Sequence, residues 1–183
     1  MNDFVTRPHN GPPVEPGALS ELTWRDAQAR DAGAVATAID EWWPGRHIVH
    51  GVCPQLFEHL GDTSLIVEDQ GELVGFLVGY LSQRVPEAGY IHYAGVRPDW
   101  RGQGVGRETY RRFAAIVRER GRTCIVAETS SWNSGSIAFH MRFGFTLEAG
   151  DEVVDGLPVH RDVTGLGCDY VRMVLRLDEE GDQ

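Results

Sequence analysis

A glycine-rich segment in the middle of the chain, 96–107 (VRPDWRGQGVGR), decides much of how this sequence can fold. It joins an apolar run of the kind found in buried strands to a long stretch whose apolar residues recur with helical spacing. Glycines permit the backbone conformations of such a turn, and the first turn of the helix leaves main-chain N–H groups unpaired. The segment therefore predicts a strand–turn–helix unit that can bind an anion, with Arg101 and Arg107 adding positive charge.

The spacing of these glycines excludes two common phosphate motifs. A Walker loop ends in Gly-Lys-Ser/Thr, and this tripeptide does not follow here. The Rossmann fingerprint Gly-x-Gly-x-x-Gly, counted from Gly104 and Gly106, would need a glycine where Thr109 stands. The pattern that remains is Arg-x-x-Gly-x-Gly, formed by Arg101, Gly104 and Gly106.

This pattern, placed after a strand, resembles the coenzyme A pyrophosphate loop of the GNAT superfamily of N-acyltransferases. A second segment, 124–145 (CIVAETSSWNSGSIAFHMRFGF), is similar to that superfamily's strand, asparagine-containing turn and short helix ending in Gly-Phe. Two motifs in the right order support the resemblance more strongly than one. It covers roughly residues 21–177 and is most specific between 90 and 145.

Periodicity and turn signals predict a mixed α/β order of elements. Predicted strands are 21–26, 64–67, 72–81, 90–96, 123–129, 145–147 and 171–177, with 64–81 forming a hairpin. A first helix is predicted from its N-cap Asp31 to Pro44-Gly45, with an apolar stripe that includes Ala34, and further helices are predicted at 54–60, 104–121 and 134–142. The resemblance implies a splayed central sheet with helices on both faces.

The expected domain organisation is simple. Residues 1–20, rich in proline and glycine, predict a flexible tail, residues 21–177 a single domain, and residues 178–183 a frayed end. The connection 148–167 is long for a compact domain. It is either a substrate loop or mobile flap, or an extra hairpin built on the Asp155-Gly156 turn signal.

The composition is that of an acidic globular protein. The chain has 183 residues, a formal net charge of -10 and 42% hydrophobic residues, which suits one domain with a substantial core. Acidity argues against nucleic acid as a partner and weakly favours an amine substrate. No apolar run approaches a membrane span of ~20 residues, the N-terminus lacks a signal-peptide core, and the three cysteines show no metal-ligand spacing. A cytoplasmic protein without a membrane partner or a bound metal is expected.

The resemblance implies acetyl-CoA as cofactor and a primary amine of a small molecule or protein as acceptor. Main-chain groups near the end of the strand would hold the pantetheine arm, and the glycine turn would hold the pyrophosphate. Asn133 occupies the position of a cofactor-contacting asparagine, and helix capping is an equally good reading of it. The cofactor-binding residues implied are Ala94, Gly95, Val96, Arg101, Gly102, Gln103, Gly104, Val105, Gly106, Arg107 and Asn133.

Two ionisable residues are candidates for catalysis. Glu128 matches the position of the general base in some relatives, and its alternative role is that of a solvated carboxylate at a strand end. His140 stands where many relatives carry a tyrosine that protonates the coenzyme A thiolate. It is either a replacement acid or an ordinary helix histidine.

Four aromatic residues are candidates for the acceptor pocket. Period-two alternation places Tyr90 and His92 on the strand face of Val96 and points Tyr93 to the opposite face. Trp42 and Trp43 lie between the first two helices, where paired tryptophans are usually core but one could wall a pocket.

The sequence thus predicts an N-acetyltransferase in which the amine attacks acetyl-CoA directly in a ternary complex. The alternative is a non-catalytic acyl-CoA-binding sensor, which His140 in place of tyrosine keeps open. Transfer of a longer acyl group and a homodimer are also compatible with the resemblance.

Overall fold

The computed structural model describes residues 18–43, 51–165 and 167–177. Within these ranges the elements follow the predicted mixed α/β order. The strands are β1 (Thr23–Asp26), β2 (Leu65–Asp69), β3 (Glu72–Leu81), β4 (Ala88–Val96), β5 (Cys124–Ser130), β6 (Thr146–Leu147), β7 (Glu152–Val154), β8 (Leu157–Val159) and β9 (Tyr170–Arg176). The α-helices are α1 (Ala32–Trp42), α2 (Pro54–His59), α3 (Val105–Glu119) and α4 (Ser134–Phe143).

Seven strands form one mixed sheet in the order β1-β2-β3-β4-β5-β9-β6. Neighbours are antiparallel except β4 and β5, which run parallel. A parallel pair needs a crossover connection, and α3 supplies it. The hairpin predicted over 64–81 is confirmed as β2 and β3, joined by the turn at Gln70 and Gly71.

The helices cover both faces of the sheet, as the resemblance implies. On one face, Val35 and Ile39 of α1 and Phe57 of α2 pack with apolar residues of β2 and β3. On the other face, Phe113 of α3 and Ile137 of α4 pack with apolar residues of β4, β5 and β9. The two clusters bury the apolar stripes that gave the helices their periodicity.

The splay of the sheet is confirmed between β4 and β5. Their parallel pairing runs from Ala88 opposite Cys124 to Ile91 opposite Ala127. Both strands continue beyond that point, β4 to Val96 and β5 to Ser130, without pairing to each other. The carboxyl ends of the two strands therefore enclose an open gap.

A β-bulge lies in the middle of β4. The register against β3 passes from Val78 opposite Tyr93 to Gly79 opposite Ile91, so His92 is an extra residue. One inserted residue reverses the alternation of side chains on its two sides. Ile91 and Ala94 accordingly pack into the same cluster under α3, although they are three positions apart.

This bulge corrects the predicted faces of β4. Val96 packs with Val105 beneath α3, whereas Tyr93 packs against the α1–α2 cluster on the opposite face. Tyr90 precedes Ile91 and so shares the face of Tyr93, not that of Val96. The prediction is wrong because it counted two-residue steps across an irregular strand.

The connection 148–167 contains the hairpin β7–β8. Val154 pairs with Leu157, and the two turn residues Asp155 and Gly156 have φ of 50° and 80°. Two consecutive positive φ values are typical of a type I′ hairpin turn. Of the two interpretations of this connection, the hairpin is the one that forms.

Two details of α1 differ from the sequence prediction. The Asp31 carboxylate makes no capping bond to α1 but pairs with Arg25 at 2.7 Å and accepts the Gln28 N–H at 2.8 Å. Ala34 is exposed and lies outside the buried stripe. The cap is missing because Asp31 pairs with Arg25 on β1, a contact that sequence spacing does not show.

The predicted tail and frayed end fall mostly outside the described residues, at 1–17 and 178–183, as does Pro44-Gly45. The described end of the tail, Ala18–Ser20, forms a 3-10 turn, and Leu19 packs near Val105. None of the helices that the structure describes is long and apolar enough to cross a membrane.

Candidate functional site

The gap between β4 and β5 is the centre of the candidate site. The carboxyl ends of parallel strands open at one edge of a sheet, where open α/β sheets bind ligands. The glycine turn follows β4, and the turn that carries Asn133 follows β5. The two motifs found in the sequence, 96–107 and 124–145, therefore meet on the two sides of one gap.

The glycine turn has the geometry of an anion cradle. Gly102 and Gly104 have φ of 78° and 89°, values that favour glycine, and Gly104 directly precedes α3. A Cβ on Gly102 would meet no atom within 4 Å, so the turn faces open space. Val105 is buried and anchors the start of the helix. The first N–H groups of α3, with the positive end of its dipole, are thus held in place for a phosphate.

The side chains of the turn divide into two kinds. Arg101 folds back, donating from Nε to the Val96 carbonyl and from Nη2 to the Trp42 carbonyl, both at 3.1 Å. Burial lowers its pKa, and it ties the last residue of α1 to β4. Gln103 donates to the Asp99 carbonyl at 2.7 Å. Arg107 is exposed, which leaves its guanidinium able to reach a phosphate.

The end of β4 offers main-chain groups to the gap. The Arg97 N–H donates to the Val74 carbonyl on β3, and main-chain groups alternate sides along an antiparallel strand. Gly95 therefore faces β3, while Ala94 and Val96 direct their N–H and C=O groups toward the edge that β5 leaves. Of the three residues predicted to hold the pantetheine arm, Ala94 and Val96 direct main-chain groups toward the gap and Gly95 does not, and contact with such an arm stays a prediction.

Gly95 allows aromatic side chains to pack closely against β4. A Cβ there would stand 2.7 Å from the Phe76 ring and 3.2 Å from Trp43. A glycine lets these rings approach β4 closely. Gly106 is less crowded, since a Cβ there would contact Phe139 and Val96 only at 3.5 Å.

Asn133 caps α4. Its Oδ1 accepts the Ser136 N–H at 3.4 Å, and its Nδ2 donates to Thr129 Oγ1 at 2.8 Å. These bonds fix the turn between β5 and α4 at the rim of the gap. The capping role is therefore present, and contact with a cofactor stays a prediction.

Glu128 lies at the end of β5 and is held by two donors. The Tyr90 hydroxyl donates to Oε2 at 3.0 Å, and Arg172 Nε donates to Oε1 at 2.6 Å. Its side chain is 15% exposed. Burial, with the charge and hydrogen bond of Glu128, raises the pKa of Tyr90, so the phenol stays protonated. The site thus holds an oriented carboxylate that keeps lone pairs for a further donor.

The acceptor side of the gap also contains residues that sequence reasoning missed. Arg172 on β9 bonds Glu128 and, from Nη1, Glu148 Oε1 at 3.1 Å. Tyr80, whose ring lies 5.2 Å from that of Tyr90, and Tyr170 also border this face. Burial and then the Glu128 charge raise the pKa of Tyr80. The pKa of Tyr170 is raised by burial, then by the charge and hydrogen bond of Cys168, and last by the Glu128 charge. Alternation along β9 could have placed Tyr170 and Arg172 on one face, but not beside Glu128.

His140 lies in the core. It is 5% exposed. Its Nε2 is hydrogen-bonded to the Tyr110 hydroxyl at 3.0 Å, and its Nδ1 is hydrogen-bonded to the Ser136 carbonyl at 2.8 Å. Burial lowers its pKa, opposed by the Ser136 bond, so the ring is neutral, with Nδ1 donating and Nε2 accepting. Both nitrogens have partners inside the protein, which favours the ordinary helix histidine over the general acid.

The predicted pocket residues divide between core and rim. Trp42 is buried and stacks on Phe76 at 5.6 Å, so it belongs to the core. Trp43 is partly exposed and lies against β4 at Gly95. His92, on the bulge, lies 4.0 Å from the Tyr93 ring, and burial lowers its pKa. A role of Tyr90, His92 and Trp43 in an acceptor pocket stays a prediction.

The residues present fit the cofactor expected from the sequence. The edge of β4 that β5 leaves unpaired suits an extended amide-bearing arm, although the Val96 carbonyl on it already accepts from Arg101 Nε. This edge leads to a helix N-terminus that suits a pyrophosphate. Open space in front of Gly102 leaves room for the phosphates.

Comparison with known proteins agrees with this geometry. The model of the acetyltransferase (GNAT) family matches residues 18–145. An L-2,4-diaminobutyric acid acetyltransferase from Nocardia farcinica is 32% identical over 76 residues, which cover 42% of this chain and 39% of the relative. L-amino acid N-acyltransferase MnaT from Escherichia coli is 32% identical over 88 residues, 48% of each chain. The matches span less than half the length of these relatives.

Solved structures share the fold. Ard1 from Thermoplasma volcanium has a TM-score of 0.70 at 19% identity, covering 87% of this chain and 99% of its own. Diaminobutyrate acetyltransferase EctA from Paenibacillus lautus, solved with L-2,4-diaminobutyric acid and coenzyme A, has a TM-score of 0.63 at 21% identity, covering 88% and 99%. With the family model matching most of the chain and the splayed sheet and glycine turn in place, the chain belongs to the acetyltransferase (GNAT) family.

Proposed function

We propose that residues 21–177 form one N-acetyltransferase domain that transfers the acetyl group of acetyl-CoA to a primary amine. The observation that carries the proposal is the gap, where a free strand edge and a helix N-terminus on the β4 side oppose an oriented carboxylate on β5. When bound, acetyl-CoA supplies the thioester whose acetyl group is transferred. The relatives named as acetyltransferases support the same reaction class.

Different residues of the chain contribute to different parts of the reaction. Main-chain N–H groups of Ala94 and Val96 can donate to an acyl oxygen in the gap, where little water competes. Glu128 can take a proton from the incoming ammonium, directly or through water, because an amine of pKa ~10 arrives mostly protonated. Tyr90 and Trp43 exclude water on the acceptor side. Direct attack in a ternary complex needs no covalent enzyme intermediate.

Binding is tested first, by thermal unfolding of the purified protein with increasing acetyl-CoA. A ligand that binds only the folded state raises the midpoint saturably, and we expect such a rise. Gly102→Asp should abolish it by placing a negative charge in the cradle. Gly121→Asp is the matched control, because Gly121 has a φ of 72° and equally open space but lies at the far end of α3.

Absence of a shift in the unmodified protein would refute the proposal. Equal shifts of the thermal midpoint in the two aspartate variants would show that acetyl-CoA does not bind at the glycine turn.

Catalysis is tested by release of free coenzyme A against a panel of amines. The panel contains L-2,4-diaminobutyrate, a peptide with an N-terminal alanine and an aliphatic diamine, chosen from the chemistry named for relatives and structural neighbours. Amine-dependent release is expected for at least one class. Saturable binding without release from any amine would favour the acyl-CoA-binding sensor instead.

A further inference from the structure

We propose that Arg172 is a positioning residue, which fixes the Glu128 carboxylate toward the gap, and that Glu148 holds Arg172 in turn. This inference rests on the proposed function, because it assigns the residues that prepare Glu128 for the acceptor amine. It concerns a contact between residues 44 positions apart.

The backbone brings the three residues together. Glu128 and Arg172 are direct cross-strand partners in the antiparallel pair β5–β9. The Glu148 N–H donates to the Arg172 carbonyl at 3.0 Å, just after β6. The side-chain contacts therefore start from fixed main-chain positions.

The contacts use separate atoms of each group. Arg172 Nε donates to Glu128 Oε1 at 2.6 Å, and Nη1 donates to Glu148 Oε1 at 3.1 Å. The Tyr90 hydroxyl occupies Glu128 Oε2 at 3.0 Å. With a donor on each oxygen, the carboxylate plane of Glu128 is fixed in both rotation and tilt.

The partners differ in exposure. The side chains of Glu128, Arg172 and Glu148 are 15%, 31% and 43% exposed. The Glu128–Arg172 bond is thus the more sheltered of the two, and the Glu148 contact lies toward solvent, where it is weaker. Removing Arg172 should free Glu128, whereas removing the Glu148 charge should only loosen Arg172.

Several titratable groups lie around this pair. His160 Nε2 lies 3.9 Å from Glu148 Oε1. The titratable groups that face the pair from β3, β4, β6, β8 and β9 within the described residues are Tyr80, Tyr90, Glu148, His160 and Tyr170. Arg172 is the group of this cluster that bonds both Glu128 and Glu148.

The first experiment needs neither cofactor nor acceptor. Exchange of the arginine Nε–H protons with water is followed by nitrogen-15 NMR in the free protein. Slow exchange is expected for Arg172, and Glu128→Gln should accelerate it at least tenfold, whereas Glu148→Gln should change it less. Exchange of the Arg172 Nε–H as rapid as that of the exposed Arg176 would overturn the proposal.

The second experiment measures turnover with the panel amine that releases coenzyme A fastest. Arg172→Met is expected to lower kcat about tenfold to a hundredfold with little change in the KM for acetyl-CoA. A catalytic group displaced by about 1 Å lowers the rate by up to about a hundredfold. Arg172→Lys should recover part of the loss. Arg176→Met, on the same strand and face, is the control that should retain full turnover.

Unchanged kcat in Arg172→Met would overturn the positioning role. A protein that fails to bind acetyl-CoA but shows the slow Arg172 exchange would refute the proposed function and leave the contact itself supported.

Discussion

Glu128 and His140 belong to the same strand–turn–helix unit, yet the structure gives them opposite surroundings. Glu128 ends β5 at the gap, where two donors orient it and lone pairs remain. His140 lies on the inner face of α4, where Tyr110 and Ser136 use both its nitrogens. An ionisable group is available for chemistry only if the fold leaves one of its atoms unused.

The contrast also shows what burial does in each place. At Glu128, burial is partial and a cation compensates it. At His140, burial is nearly complete and neutral partners compensate it, so the ring is kept uncharged. The first arrangement leaves carboxylate lone pairs at the gap, and the second favours a stable core.

The largest expected effect is on catalysis at Glu128. Glu128→Gln should lower kcat by about 10²–10⁴-fold, because an amide keeps the shape but accepts no proton. The thermal midpoint should fall little. Glu72→Gln, at the exposed start of β3, is the control. If Glu128→Gln turns over as fast as the control, Glu128 has no catalytic role and does not differ from His140 in this respect.

The next largest effect is on stability at His140. His140→Phe should lower the free energy of unfolding by about 1–3 kcal/mol, because the Tyr110 hydroxyl and Ser136 carbonyl lose a buried partner. Chemical denaturation measures this loss, and kcat of the folded variant should stay within a few-fold of the unmodified protein. Adding Tyr110→Phe should recover part of the stability, since both partners are then apolar.

A kcat loss in His140→Phe as large as that of Glu128→Gln would instead support the role of His140 as general acid.

A smaller effect is expected at Asn133, which lies between the two regions. Asn133→Ala should cost about 1 kcal/mol of stability through loss of the N-cap of α4. Asn133→Asp keeps an acceptor for the Ser136 N–H and should cost less. If the alanine variant binds acetyl-CoA as tightly as the unmodified protein, Asn133 acts as a cap alone.

The smallest effect is the pH dependence that His140 adds to stability. Its pKa in the folded protein is lowered by burial below the usual ~6.5, so the unfolded chain binds the proton first. Its contribution is full above pH ~6.5 and is lost as the pH falls toward the folded value. Unfolding of His140→Phe should therefore depend less steeply on pH below ~6.5, and an unchanged slope would contradict a neutral buried ring.

Sequence patterns predicted the elements well because local signals determine them. The bounds of β3 match 72–81 in full, and the glycine turn starts α3 where its spacing requires. Faces were harder to predict, since the bulge at His92 is a tertiary feature with no glycine or proline to mark it. The Arg172 contact was missed because 44 residues separate it from Glu128, and alternation shows the face of a strand but not its neighbour.

The bulge at His92 also bears on how this member of the family could be re-engineered. Because of the extra residue, Tyr90 lies on the face of β4 opposite Ala94 and Val96. Tyr90 can therefore be exchanged for another side chain on its own face without moving Ala94 or Val96. Deleting His92 would instead rotate one part of the strand, carrying a phenol into the core and Ile91 into solvent. Under the proposed function, acceptor-side residues can therefore change on one side of a single residue while the cofactor edge on the other side stays as it is.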